Sequence, residues 1–77
     1  MSKKSVYSAE YKTILSRLKK ARLESKLNQS EVAKKLQKPQ SYVSKVESGE
    51  RRLDVIELKK LARVYKKPVS FFIDGWQ

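Results

Sequence analysis

A short run of polar side chains between residues 40 and 45 has the residue types and the spacing of a binding surface. The run consists of Gln40, Ser41, Ser44 and Lys45. Val43 and Val46 lie three residues apart, as on the inward face of a helix, which leaves the polar residues on the outer face. An amide, two hydroxyls and an ammonium group donate and accept hydrogen bonds, so they suggest recognition of a polar partner rather than bond breaking.

Cysteine and histidine are both absent from the chain. A disulfide framework, a thiolate or imidazole metal site and a His general base are therefore excluded. No apolar run reaches the roughly 18 residues of a membrane span, and no signal peptide is visible. These observations predict a cytoplasmic protein that is not an enzyme, needs no metal or cofactor, and has no implied membrane or small-molecule ligand.

The charge balance is strongly basic. Lys and Arg total 19 against 8 Asp and Glu, a formal net charge of +11 in 77 residues. Any single Lys is readily explained as part of a solvated helix face. The excess as a whole predicts a polyanionic partner, and it would attract nucleic acid or an anionic surface even without a specific site.

Two short helices joined by a tight turn are predicted between Asn28 and Gly49. Asn28 can cap the first helix, and Glu31 stands at the position that completes a capping box. Pro39 disfavours helical backbone just before it, so the second helix begins near Gln40. Helix, short turn and helix is the unit that lays its second helix in the DNA major groove.

Three further helices are predicted around this unit, and no strand pattern is present. Their bounds are about Ser8 to Ser25, about Asp54 to Lys67, and Val69 to Ile73. The first and second of these begin with N-cap residues, Ser8 and Asp54. The chain is thus predicted to form one all-α domain at 8–77, with the helix-turn-helix at 29–47, preceded by a basic arm at 1–7.

A resemblance to a known family rests on Gln29, Ala33, Val43, Ser44, Glu47 and Gly49. The pattern resembles the phage-repressor/Cro-type helix-turn-helix, also called the xenobiotic-response-element type, from about Leu15 to about Ile73. It implies a compact five-helix bundle of the lambda-repressor-like type that binds double-stranded DNA. One departure is Gln37, where the family usually has Gly. A positive φ at Gln37 would cost about 1 kcal/mol.

The resemblance also implies which residues read bases. The base-reading positions of the family match Gln40, Ser41 and Lys45, with Ser44 sometimes added. Their chemistry agrees, because a Gln amide can pair with adenine, Lys can reach guanine acceptors, and Ser can serve several bases. The alternative is that all four are ordinary solvated side chains.

Phosphate contacts are predicted at Gln29, Lys38, Tyr42, Arg51 and Arg52. Gln29 opens a helix, whose N–H groups and dipole attract anions, and the resemblance implies that it also braces Gln40. Tyr42 can offer its hydroxyl to a phosphate or pack partly into the core. Each Arg lies just past the second helix of the motif, where the alternative is a solvated loop charge.

Two opposite charges are predicted to point into the core. Arg22 continues the apolar stripe of the first helix, and Glu47 follows Val43 by four residues on the inward face of the second helix of the motif. An unpaired buried charge is too costly, so the two should pair. The resemblance implies the same salt bridge; the alternative for Arg22 is direct contact with DNA.

The tail after Pro68 is rich in apolar side chains. A 77-residue domain cannot bury all of them, and an exposed apolar patch marks an association surface. Phe72, Ile73 and Trp76 are therefore predicted to form a homodimer interface, as the resemblance also implies. The resulting prediction is a dimeric transcriptional regulator, a repressor, on a near-palindromic operator. The alternatives are an antitoxin or other module for an acidic protein partner and, more remotely, an amphipathic membrane-surface protein.

Overall fold

Five helices make up the part of the chain that the structure, a computed structural model, describes, residues 8–73. They are α1 (Ala9–Glu24), α2 (Gln29–Leu36), α3 (Gln40–Ser48), α4 (Val55–Tyr65) and α5 (Ser70–Ile73). This confirms the predicted all-α, five-helix architecture. The predicted basic arm at 1–7 lies outside the described residues.

Side-chain caps explain where the helices begin. Ser8 accepts a backbone N–H at the start of α1. Asn28 and Glu31 form the predicted capping box at α2, and Asp54 and Glu57 form a second one at α4. Each box satisfies two backbone donors that the helix itself cannot use, which fixes the starts of α2 and α4 on either side of α3.

Left-handed residues explain where the helices end. Lys26, Gln37 and Lys66 all have φ near 60°, and Gly49 has φ 87°. After each of the three non-glycine residues, the next N–H bonds to the carbonyl five residues earlier, which is a Schellman ending. Gln37 therefore adopts the geometry for which the family usually supplies Gly, at a cost of about 1 kcal/mol.

The core joins one face of each helix. Its buried apolar residues are Leu18, Ala21, Val32, Ala33, Val43, Val46, Leu58, Leu61, Ala62, Tyr65 and Phe72. Helix α3 packs against both α1 and α2, and α4 packs against the same two helices. Helix α3 is thus held from two sides, and its outer face remains open.

Phe72 is a core residue, with 0% of its surface exposed. The prediction that it forms a dimer contact is wrong for this fold, because α5 folds back onto α1. Arg17 Nη1 on α1 donates to the Phe71 carbonyl oxygen at 3.3 Å. Ile73 remains 41% exposed, and Trp76 lies outside the described residues.

Within residues 8–73, none of the helices combines the length and the apolar character needed to cross a bilayer. The same residues contain no group of three or more His, Cys, Asp or Glu side chains that could hold a metal ion.

Candidate DNA-binding surface

The outer face of α3 carries the four side chains that the sequence proposed for base reading. Val43 and Val46 are buried on the opposite face. The exposed residues are Gln40, Ser41, Ser44 and Lys45. Because no other described helix covers this face, the amide, hydroxyl and ammonium groups are presented together to a partner.

A buried ion pair sets the position of α3 against α1. Arg22 Nε and Nη2 donate to Glu47 Oε2 and Oε1 at 2.7 and 3.2 Å, and only 10% and 8% of the two side chains are exposed. The hydrogen bonding to the Glu47 carboxylate raises the pKa of Arg22. Arg22 Nη1 also donates to the Leu27 carbonyl oxygen at 3.0 Å. The pair therefore joins α1, the α1–α2 loop and α3.

Two glutamine amides extend this pair to the outer face. Gln29 Nε2 donates to Glu47 Oε1 at 3.0 Å. Gln40 Nε2 in turn donates to Gln29 Oε1 at 3.2 Å. The result is a hydrogen-bonded chain, Arg22–Glu47–Gln29–Gln40, that runs from the core to the first residue of α3; we call it the core-to-surface chain.

The core-to-surface chain determines which way the amides point. An ionised carboxylate only accepts, so Gln29 must turn its Nε2 toward Glu47 and its Oε1 toward Gln40. Gln40 must then donate from Nε2, which leaves its Oε1 acceptor and its second N–H for a partner. An acceptor beside a donor is the arrangement that pairs with the N6 and N7 edge of adenine.

A cluster of charges surrounds Tyr42 at one edge of this face. Lys38 Nζ lies 5.3 Å and Arg51 Cζ 5.0 Å from the centre of the Tyr42 ring, within the range of cation–π attraction. Arg51 Nη2 also donates to Glu57 Oε2 at 2.6 Å. Arg51 is thus held in place while nearly half of its side chain remains exposed.

Two pKa shifts follow from this cluster. Burial, and then the Glu57 carboxylate, raise the pKa of Tyr42, so the phenol stays protonated and able to donate. The backbone N–H of Asp54 lowers the pKa of Glu57, with a smaller contribution from Arg51. Glu57 therefore stays ionised, caps α4 and orients Arg51 at the same time.

Arg52 lies beside a second aromatic ring. Its Cζ is 5.0 Å from the centre of the Tyr11 ring, and the Tyr11 hydroxyl accepts the Leu53 backbone N–H at 3.0 Å. The loop after α3 is thereby fastened to the start of α1. Exposed cations thus flank α3 at both ends, with Lys38 in the turn before it and Arg51 and Arg52 in the loop after it.

Sequence reasoning found most of these residues but not all of their partners. The ion pair of Glu57 with Arg51 depends on how the loop between α3 and α4 folds back. The contact of Tyr11 with this loop joins residues that are 42 positions apart in the sequence. A six-residue separation between Arg51 and Glu57 across a helix start gives no periodic signal that could have predicted their contact.

The fold and this surface define an all-helical domain whose second and third helices form a helix-turn-helix with an exposed polar face on α3. A family model described as Helix-turn-helix matches residues 18–72. The match covers most of the chain. The chain therefore belongs to this family, the Cro/C1-type helix-turn-helix. DNA binding is the function that membership supports. A comparison with curated proteins finds no match.

Proposed function

We propose that this protein is a sequence-specific transcriptional repressor that reads the major groove of double-stranded DNA with α3, as a homodimer on a near-palindromic site. The observation that carries the proposal is the core-to-surface chain, which orients the Gln40 amide outward. A side chain in a solvated helix face has no need of such a brace, whereas base recognition depends on it.

Base readout by Gln40 and Lys45 predicts a loss that depends on sequence. Gln40→Ala or Lys45→Ala is expected to weaken binding to the preferred duplex by about 1–3 kcal/mol and to relax selectivity at one base position. The preferred duplex is first selected from random sequence, and affinities are then measured on it and on a random duplex.

Lys19→Ala is the matched control, because Lys19 is an exposed lysine on α1, outside the reading face. It removes the same charge as Lys45→Ala and should leave selectivity unchanged. Equal losses on selected and random duplex for Gln40→Ala and Lys45→Ala would assign both residues to the DNA backbone instead.

Phosphate contacts are proposed for Gln29, Lys38, Tyr42, Arg51 and Arg52. Arg51→Gln or Arg52→Gln should weaken binding to every sequence. Each variant neutralises one phosphate fewer and so releases one counterion fewer from the DNA, which should reduce the slope of log K against log [salt] by about 1. Arg63→Gln, an exposed arginine on α4, serves as the control and should leave the slope unchanged. A wild-type slope in both loop variants would contradict the proposed phosphate contacts.

The dimer surface is proposed at the end of α5, with Ile73 and Trp76 as contacts. Two-fold symmetry would place the two α3 helices about 34 Å apart, one turn of B-DNA. Ile73→Asp should therefore lower affinity for a full site far more than for a half-site. Leu23→Asp, at a comparably exposed apolar residue on α1, is the control. Sedimentation that finds one protomer per full site at saturation would refute the dimer.

A further inference from the structure

A basic groove with an apolar floor lies between α2 and α4. It has a volume of about 340 Å³ and is lined by Lys35, Leu36, Lys60, Arg63 and Val64; we call it the α2–α4 groove. Leu36 and Val64 pack against the core and form the floor. The three cations are exposed on the rim. None of the five residues belongs to the set proposed for DNA contact.

Among the residues that the structure describes, none of the three cations of the α2–α4 groove takes part in a salt bridge, although Glu31 lies near Lys35 and Glu57 near Lys60 in neighbouring hollows. The carboxylates nearest in sequence, Glu31 and Glu57, are each engaged in a capping box, and Glu57 also holds Arg51. Neither lines the groove. Three positive charges around an apolar floor are complementary to an apolar side chain flanked by carboxylates.

We infer that the α2–α4 groove docks an acidic amphipathic segment of a protein partner. The segment places an apolar side chain on Leu36 and Val64 and carboxylates against Lys35, Lys60 and Arg63. This inference does not rest on DNA binding, because it uses none of the residues proposed for DNA contact.

Other occupants fit the α2–α4 groove less well. A DNA duplex is far wider than a groove that holds one or two side chains, and its backbone offers no apolar group for the floor. A second copy of this chain carries a net charge of +11, so charge repulsion opposes it. An acidic segment matches both the rim and the floor.

The test uses the full chain and a fluorescent peptide of about 15 residues with Leu at positions i, i+4 and i+7 and Glu elsewhere on the helix. Fluorescence anisotropy should show saturable binding. A second peptide with Ser in place of each Leu keeps the charge and should bind about tenfold more weakly, which corresponds to the loss of apolar contacts. No saturation by about 1 mM, or equal binding of the two peptides, would overturn the inference.

The groove variant is Lys60→Glu with Arg63→Glu, and the matched control is Lys59→Glu with Lys19→Glu. Lys59 is exposed on the same helix as Lys60 but does not line the groove. Both variants change the net charge equally, so the groove variant alone should lose at least about tenfold in peptide affinity. Thermal unfolding checks that both are folded, and Lys60→Gln with Arg63→Gln replaces the groove variant if it is not.

Duplex DNA completes the experiment. The groove variant should bind the selected duplex as well as the control variant does. If the two charge variants lose peptide affinity equally, the attraction is general and the inference is wrong. If the groove variant loses duplex affinity as strongly as peptide affinity, the groove belongs to the nucleic-acid surface and the inference is also wrong. Failure of DNA binding in the wild-type protein would count against the proposed function and not against this site.

Discussion

Glu47→Ala is expected to lower the free energy of unfolding by about 3–5 kcal/mol, since it leaves a buried Arg22 without its partner. Arginine cannot relieve this by losing its proton in a folded protein. The remaining bond from Arg22 to the Leu27 carbonyl compensates for only part of the charge. In a domain whose whole stability is on the order of 5–15 kcal/mol, such a loss brings the protein close to unfolding.

Urea denaturation of Glu47→Ala, Arg22→Met and the double variant measures this effect and the coupling between the two residues. The double variant should recover much of the loss, because no buried charge is left unpaired. Arg51→Ala is the control. It breaks an ion pair of the same type that is 46% exposed on the Arg side and should cost about 0–1 kcal/mol. A coupling energy near zero between Arg22 and Glu47 would contradict the argument.

Phe72→Ala is expected to cost a similar amount, about 3–5 kcal/mol, because it empties a site that is fully enclosed. Helix α5 is only four residues long, so it has few other contacts with which to retain its place. The loss should appear as a lower unfolding midpoint in urea, at every protein concentration.

Ile73→Ala is the control for Phe72→Ala, since Ile73 is the next residue and is exposed. It should change the free energy of unfolding by less than about 0.5 kcal/mol. If instead Phe72→Ala kept full stability and only Ile73→Ala unfolded the domain, the tail would pack differently from the arrangement described here. A concentration-dependent effect of Phe72→Ala would return this residue to the dimer interface.

Local chemistry made the helices predictable. The N-caps Ser8, Asn28 and Asp54 signal where three helices begin, and Pro39 signals where α3 can start. The charge of Arg22 within an apolar stripe predicted that it would need a buried partner, and Glu47 was the opposite charge on a matching face. Each of these signals lies within one or two helical turns of the residue that it concerns.

The fate of the tail depended on packing between distant parts of the chain. Its composition predicted that some apolar residues would stay exposed, but a four-residue helix has no periodicity that says which ones. The structure buries Phe72 and exposes Ile73, because α5 packs against α1 with Phe72 turned into the core. The contact of Arg51 with Glu57 was hidden for the same reason, since it depends on the path of a loop.

The hydrogen bonds that lead from Arg22 to Gln40 also constrain how such a domain could evolve. Under the proposed base readout, a new target sequence calls for a new side chain at position 40. That side chain must still hydrogen-bond to Gln29, whose orientation is set by Glu47. A substitution at position 40 alone therefore loses this alignment unless the new side chain can donate a hydrogen bond to Gln29 Oε1. Target preference should therefore diverge more readily through Ser41, Ser44 and Lys45, which are not part of the core-to-surface chain. Gln29 and Gln40 should change together or not at all.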